Sequence, residues 1–557
     1  MLDPHWIAAR QSEAESARSN FDSLWQDIAD FVVPQSAAFT AKQTPGERRG
    51  ERVFDSTAIM ANVRFAAAMQ SMLVPSTQKW HSLAPIDLDL EDDHEVRVWC
   101  DEVTQRLFAL RYSPRAQFGN AIGEGFLSFG AFGNMVIEVS DALGESIIYR
   151  AWHPTEFYLF ENAAGVIDAV NRKCQWTARQ AVQLFGKDVL PEEIRRAAEK
   201  SPETPFEFIH MVLPVDEARE HGFERPTPRF MRFASVYYSC TGRKVVREAS
   251  YRTFPFAVGR YQTHPGEVYG RGPGDTALAD IRMLNEMMKT IIRAAHKTVD
   301  PPLMLPNDGV LQAFATRPNA LNYGAIDSQG RQLVYPLQTG ARLDIGIEMV
   351  EATRKAVNDV FHVSLFQVLI EKPTGMTATE AMIRAQEKGA LLAPIGQRAQ
   401  GELLGSLIRR ELDIMAAANL LPPMPEVLME RGGFAATRVQ FTGPIAQAQK
   451  AGDGVAIANF AQMVASIIEL YPEAPDRVDF DELIGEMADV QGVPDKVLRD
   501  MKDVIARREQ KAQQSEAAMA VQAAPLIGQA AKDLTAAQAQ AAATPPQHSL
   551  FPLMPAA

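Results

Sequence analysis

Tyr269-Gly-Arg-Gly-Pro-Gly-Asp-Thr276 is the stretch on which the reading of this chain turns. Gly270, Gly272 and Gly274 supply bends, and Pro273 stiffens the turn they make. An amphipathic helix is expected directly after it, from Asp275 to Thr298. Leu278, Ile281, Leu284, Met288, Ile291, Ile292 and Ala295 fall on one side of that helix. Arg282, Lys289, Arg293 and Lys297 fall near another, as a solvated basic face would. Asp300-Pro-Pro302 stops the helix. The insert 299–343 is extended and turn-rich, because Pro301, Pro302, Pro306, Pro318 and Pro336 forbid long helices and Asn307-Asp-Gly309 marks a turn. A second helix is expected from Asp344, with Ile347, Val350, Val357, Val360 and Phe361, dissolving into Ser364–Lys372. Two helices bracketing an insert make a stalk with a tip.

The chain of 557 residues is long enough for about three to four domains. Its 46% apolar residues supply sizeable cores, and its 22% charged residues are ordinary for a globular protein. A net charge of −13 argues against nucleic-acid binding through the overall field, so any DNA contact must be local or transient. Cys100, Cys174 and Cys240 are far apart and form no CxxC pair, which fits a reducing compartment. The N-terminus has no basic and apolar signal segment, and no apolar run approaches the ~18 residues of a membrane span. The expectation is a protein without a membrane segment or an address.

Upstream of the turn, the first part of the chain reads as helical. Phe21, Leu24, Trp25, Ile28 and Val32 recur at helical spacing and Pro34 follows. Asp55 or Ser56 can cap a second helix carrying Ile59, Val63, Ala66, Met69 and Leu73, and a third carries Val96, Trp99, Val103, Leu107 and Leu110. The acidic run Asp87–Glu95 before it reads as a solvated loop that favours a helix N-terminus. A metal site is the other reading, but His and Cys partners at ligand spacing are missing. From Asn134 to Phe256 short β-rich runs take over: 135–139, 147–149, 157–160, 206–209 and 235–238. Between them lie a capping box, Thr177-Ala-Arg-Gln180, whose helix ends at Gly186, and a helix begun at Pro191.

Downstream, Glu371-Lys-Pro-Thr-Gly375 contains a loop, and Thr377 with Glu380 forms another capping box. The helical pattern that follows runs to about Leu420 with Pro394 inside it. That proline means either a bend in one long helix or a break into two. Pro422-Pro-Met-Pro425 stops the unit, and Arg438–Thr442 reads as a strand. Further helices are expected from Pro444 to about Lys511, before an Ala/Gln-rich tail.

No catalytic centre assembles. Gly186-Lys187 is followed by Asp188, so no P-loop forms, and His94-Glu95 lacks the second histidine of a zinc-protease helix. Gly125-Phe-Leu-Ser-Phe-Gly130 has one residue too many for a nucleophile elbow and reads as a helix-to-strand connection. Gly270, Gly272 and Gly274 ahead of a helix suggest a phosphate cradle, but Pro273 cannot donate and no P-loop lysine follows. The reading is of a non-enzyme without cofactor or metal.

Several segments taken in order resemble the head-to-tail connector, or portal, family of short-tailed bacteriophages. They are Leu24–Asp30 with Pro34, Val53–Thr57, Leu73–Ser76 with Trp80, Tyr269–Gly274, Leu284–Met288, Asp300–Pro302, Met376–Glu380 and Gly443–Lys450. They cover about residues 15–510.

The resemblance implies a mixed α+β, mainly helical, ring-forming fold with wing, stem, clip and crown regions. Residues 1–268 would be the wing, 269–298 and 344–363 the stem helices, 299–343 the clip and 364–376 the tunnel loop. Residues 377–443 would hold the long kinked helix and closing strand, 444–511 the crown, and 512–557 the tail. Lys372, Thr374 and Gly375 would meet DNA in the tunnel. Leu303, Asn307, Asp308, Arg317 and Arg331 would dock partners at the clip, and Gly270, Gly272 and Gly274 would join wing to stem. The basic stem face would line the channel or pair with a neighbouring subunit.

The implied function is a dodecameric ring at one capsid vertex, assembled in the host cytoplasm, through which double-stranded DNA is packaged and ejected. Its partners would be major capsid and scaffold proteins, the terminase large subunit and a tail adaptor, with no membrane. The alternatives are another structural virion protein, such as a tail adaptor or scaffold, or an enzyme of unrecognised fold.

Overall fold

The computed structural model describes residues 1–41, 44, 46–91, 93–142, 146–304, 315, 317, 319–323, 325–337, 343–370, 392–443, 456–464, 466, 478–491, 499 and 503–514. Helix predominates over sheet. Residues 1–492 make one compact unit, and within 493–557 residues 503–514 are helical.

The N-terminal helices form as their patterns predict. Helix α1 spans Pro4–Val32 and buries Ile7, Trp25, Ile28 and Val32. Helix α2 spans Thr57–Leu73. Asp55 is the residue that caps it, since its Oδ1 accepts the Thr57 amide at 2.8 Å while Ser56 makes no capping bond. Its buried face carries Phe65, Met69 and Met72; Val63, expected inside, is exposed. Helix α3 (His94–Arg111) takes Asp93 as its N-cap, which gives the acidic run a local role at a helix start. Helix α4 spans Phe118–Phe132, so the loosely elbow-like 125–130 segment lies inside a helix.

Two antiparallel sheets follow. Strands β2 (Asn134–Asp141), β3 (Ile147–Trp152) and β9 (Phe256–Arg260) form one, in the order β3-β2-β9. The other has five strands in sequence order: β4 (Phe157–Glu161), β5 (Ile167–Thr177), β6 (Pro205–Pro214), β7 (Phe233–Ser239) and β8 (Lys244–Tyr251). Its middle strand β6 is buried on both faces. Ile209, Met211 and Leu213 pack with the start of α1 and with α7 (Val215–Glu220). Phe208 packs on the other side with α5 (Ala178–Phe185) and α6 (Glu192–Lys200). The Thr177–Gln180 capping box is present with both reciprocal bonds, and Gly186 ends α5. The largest core joins α1, α2, α4 and the three-stranded sheet around Trp25, Phe65, Phe129, Phe132 and Phe256.

After the 269–276 turn come the short α8 (Pro273–Thr276) and then α9 (Leu278–Val299), so the expected helix is divided at Ala277. In the insert, β10 (Leu303–Met304) pairs with β11 (Tyr335–Pro336). Helix α10 (Leu343–Val360) buries Val350, Val357 and, just beyond it, Phe361. The segment from Ser364 does not dissolve. His362 adopts φ +56° and ends α10, and α11 then runs from Val363 to Ile370. This stretch lacks Gly and Pro, and Phe366 is held in the main core against Phe65, which favours helix over loop.

From 392 to 417 the chain is helical without a break, and we denote this α12. It passes through Pro394 and widens to a π-helical turn at Ala399–Leu404. A π turn realigns the hydrogen-bond ladder, and here it presents Glu402 to Arg260 Nη2 at 3.1 Å. Strand β12 (Thr437–Phe441) pairs antiparallel with β1 (His81–Pro85).

His81 and His210 are buried in this fold, and His153 and His362 are half-buried. Burial holds His153 at about 4 and His210 at about 3, and lowers His81 and His362 as well. His210 lies against the Tyr237 ring at 4.0 Å and shares a 2.9 Å hydrogen bond with Ser235 Oγ. A histidine whose folded pKa is depressed is protonated first in the unfolded state. The stability it contributes is complete above about pH 6.5 and is lost as pH falls toward the folded value. His153 and His210 each remove up to ~1.4 kcal/mol per pH unit in that window. We expect the melting temperature to fall steadily from pH 6.5 to 4, and His210→Gln to make that fall shallower; parallel profiles for the two proteins would exclude this titration.

Candidate functional site

The 269–276 turn is held against the C-terminal end of α4 by backbone contact. A Cβ added to Gly272 would lie 2.6 Å from the Gly133 nitrogen, and one added to Gly274 would lie 2.4 Å from the Ala131 carbonyl oxygen. A Cβ at Gly270 would lie 2.6 Å from the Gly133 carbonyl oxygen. None of the three has a positive φ; the residue that does is Gly133, at +73°. The glycines therefore serve close approach of two backbones, which corrects the expectation that they supply bends. Buried Asn134 fastens the contact. Its Oδ1 accepts the Gly270 amide at 2.8 Å and its Nδ2 donates to the Gly270 carbonyl at 2.9 Å.

The same bonds, and others of the turn, occupy four of the amides that a phosphate cradle would need. The Gly270 amide is taken by Asn134, the Arg271 amide donates to the Gln262 carbonyl, and those of Asp275 and Thr276 donate to the Gly272 carbonyl. The Tyr269 ring stands edge-on to buried Trp25 at 5.2 Å. Arg271 pairs with Glu267 and Asp275, whose bonds raise its pKa further.

A second fixture ties α9 and α10 to the N-terminal body. Asn285, in the buried stripe of α9, accepts the amides of Phe54 at 2.8 Å and Asp55 at 3.2 Å. Asp55 Oδ2 in turn accepts from Arg354 of α10, at 3.0 Å from Nε and 2.7 Å from Nη2. Burial alone would raise the Asp55 pKa, but its bonds from Thr57 and Arg354 override this and hold it below the ordinary carboxylate range. One carboxylate thus caps α2, two residues before its first residue, and anchors α10.

Asn285 and Arg354 were not singled out by the sequence reading. The signal for Asn285 was available: it follows Ile281 by four residues on the apolar stripe, and a polar residue there has to find partners inside.

The basic residues of α9 are less uniform than their spacing suggests. Arg282 pairs with Asp27 of α1 at 2.6 Å, and Lys289 with Glu286 at 2.9 Å. Arg293 and Lys297 are exposed and have no ion-pair partner among the described residues. In the insert, Leu303, Arg317 and Arg331 are exposed, and Arg331 is held by Asp327 at 2.8 Å. Asn307, Asp308, Lys372, Thr374 and Gly375 lie outside the described residues, as does the Thr377–Glu380 capping box.

The described residues include no group of three or more His, Cys, Asp or Glu side chains that could hold a metal ion. No described helix is long and apolar enough to cross a membrane. Burial pushes the thiols of Cys174 and Cys240 up to about 12 and about 11, away from the range of a reactive thiolate. A cavity lined by His94, Glu95, Trp99 and Pro422 is shallow and draws together no catalytic set.

The family described as bacteriophage head to tail connecting protein matches residues 5–498. The chain belongs to that family. A head-to-tail connecting protein is a structural component of the virion, and the turn, the two anchored helices and the insert are to be read in that light. The chain is 27% identical over 541 residues to the portal protein of Salmonella phage epsilon15, covering 95% of this chain and 94% of the relative. It is 25% identical over 548 residues to the probable portal protein of Bordetella phage BPP-1, covering 98% and 96%. The resemblance carried by the ordered motifs therefore extends over nearly the whole connector.

Proposed function

We propose that this connector is a portal protein that forms a ring, a dodecamer, at one capsid vertex. Its channel passes double-stranded DNA during packaging and ejection. The observation that carries the reading is the similarity to phage portal proteins over nearly the full length of both chains. In this reading α9 and α10 are the stem, seated on the wing by Asn285 and Arg354. Residues 299–343 are the clip, meeting the terminase large subunit and then the tail adaptor. The tunnel-loop segment is 364–376, whose first residues fold as α11, with Lys372 its candidate phosphate contact, and 444–511 form the crown facing the capsid interior. Major capsid and scaffold proteins surround the ring, which is built in the host cytoplasm and kept in the virion. The net charge of −13 suits a conduit that must not hold its cargo, since each cation–phosphate contact releases counterions and adds grip.

Negative-stain imaging of the purified protein tests this. Rings with a central pore are expected, and a chain that stays monomeric at all concentrations in light scattering would sink the reading. A chain shortened within 303–340 is expected to keep its rings and lose binding to terminase and adaptor. Binding that survives the deletion would move docking elsewhere.

A further inference from the structure

The exposed faces of α9 and α10 carry opposite charge at matching heights. At 100° per residue, Arg282, Lys289, Arg293 and Lys297 fall within a stripe about 80° wide, with Glu286 as its one anion. Arg282 and Lys289 are paired within the chain, to Asp27 and Glu286, so Arg293 and Lys297 are the cations of the stripe without an ion-pair partner among the described residues. On α10, Asp344, Glu348, Glu351 and Asp359 occupy an equally narrow stripe, with Lys355 as its one cation. The basic stripe faces away from buried Leu284 and Ile281, and the acidic stripe away from buried Val350, Thr353 and Val357. The helices run antiparallel: Gly346 faces Ile291, and Arg354 Nη2 lies 4.0 Å from Met288 Sδ. This register sets Arg293 level with the Asp344–Glu348 turn and Arg282 level with Asp359.

Apolar side chains accompany the charges. Ile347 and Met349 of α10 are 55% and 53% exposed, and Met283 and Ile292 of α9 are also exposed. Such residues beside a charge stripe fit a protein partner better than a phosphate backbone or bulk water.

We propose that the basic stripe of α9 in one copy packs against the acidic stripe of α10 in the next, making this the head-to-tail contact that closes the ring. The proposal rests on the ring reading above. A rotation axis running along the hairpin keeps every copy of a residue at one height, so complementary stripes at equal heights meet around the whole ring. The two stripes lie on different helices, so the contact is heterologous and each copy uses both. A basic face occupied in this way is not available to line the channel.

The test uses charge reversal on full-length protein. R293E/K297E makes both stripes acidic, and D344K/E348K makes both basic. Each variant alone is expected to yield no rings in negative stain and only small species in light scattering. An equimolar mixture is expected to restore rings with the variants alternating, because each acidic α9 then meets a basic α10 and each basic α9 an acidic one. A chain carrying all four changes is expected to form rings by itself. Circular dichroism melts matching the wild type establish that the variants are folded. If either variant forms rings alone, or if folded variants fail to form rings when mixed, the pairing is overturned. Rings that persist while retention of double-stranded DNA is lost would overturn it in favour of a channel-lining face. If wild-type protein forms no rings at all, the ring reading fails and not merely this interface.

Discussion

Glu411→Ala lowers the unfolding free energy by about 3–5 kcal/mol, the cost of leaving a buried charge without its partner. Arg111 and Glu411 are both fully buried. Arg111 Nε donates to Glu411 Oε1 at 2.8 Å, its Nη2 to Oε2, and its Nη1 lies 2.9 Å from His81 Nε2. The Tyr149 hydroxyl donates to the same carboxylate. Removing the carboxylate strands a guanidinium between the Trp80 and Phe108 rings, 4.5 and 4.9 Å from their centroids, where water cannot reach it. His81 gives no relief. Burial, and next to it the charge of Arg111, keep its pKa well below the ordinary histidine value, so it serves as a neutral acceptor.

The effect is expected to be non-additive. Arg111→Met with Glu411→Leu removes both charges and replaces them with apolar volume, and such replacements are often neutral or stabilising. The double variant should therefore melt well above either single one. A double variant whose loss equals the sum of the two single losses would show no coupling between the charges and overturn this expectation. The four residues come from β1, α3, β3 and α12, so the single variants also loosen the joint between distant segments of the body.

Gly274→Ala is the second large effect, at about 1–3 kcal/mol or more, the range for forced overpacking. The new Cβ would stand 2.4 Å from the Ala131 carbonyl oxygen and 3.1 Å from its carbonyl carbon and Cα. These are backbone atoms near the end of a helix and cannot rotate aside. Gly401→Ala is the control, since nothing lies within 4 Å of its added Cβ. It should be neutral or slightly stabilising, through a less flexible unfolded chain. Thermal melts of the two variants separate close approach from conformational freedom. A Gly274→Ala protein that melts with the wild type would refute the clash and return the glycine to a flexibility role.

Much of the fold was legible because its signals are local. Helical spacing found α1 to α3, and the Thr177–Gln180 capping box formed as read. Six strands were missed: the two-residue β10 and β11 of the insert, and four others. In β5, Asn171 is fully buried and Arg172 lies under the Trp152 ring, so the apolar alternation that marks a strand is absent. β1 and β9 are defined by partners distant in sequence, and no local pattern announces those; β8 is the hairpin partner of β7, but its own alternation is weak.

The candidate site divides in the same way. The turn and the basic spacing were visible, but the reason for the glycines was not, because it lies in α4, well over a hundred residues upstream in sequence. The anchoring role of Arg354 depends on Asp55, 299 residues away. Buried charges such as Arg111, Arg260 and Glu411 are hidden from any rule that puts charge outside, since only their partners reveal why they are inside.

The pairing of β1 with β12 joins residues 81–85 to residues 437–441. The polypeptide thus closes on itself before its last segments begin, and the hairpin of α9 and α10 is an excursion tethered at both ends in one body. A cut across the tip of that excursion would sever a covalent bond without releasing a piece, for each half remains zipped to the other by sheet and core. The tip can be shortened, lengthened or exchanged while the two ends of the tether keep their places. That separates a part free to vary from a part that must stay closed.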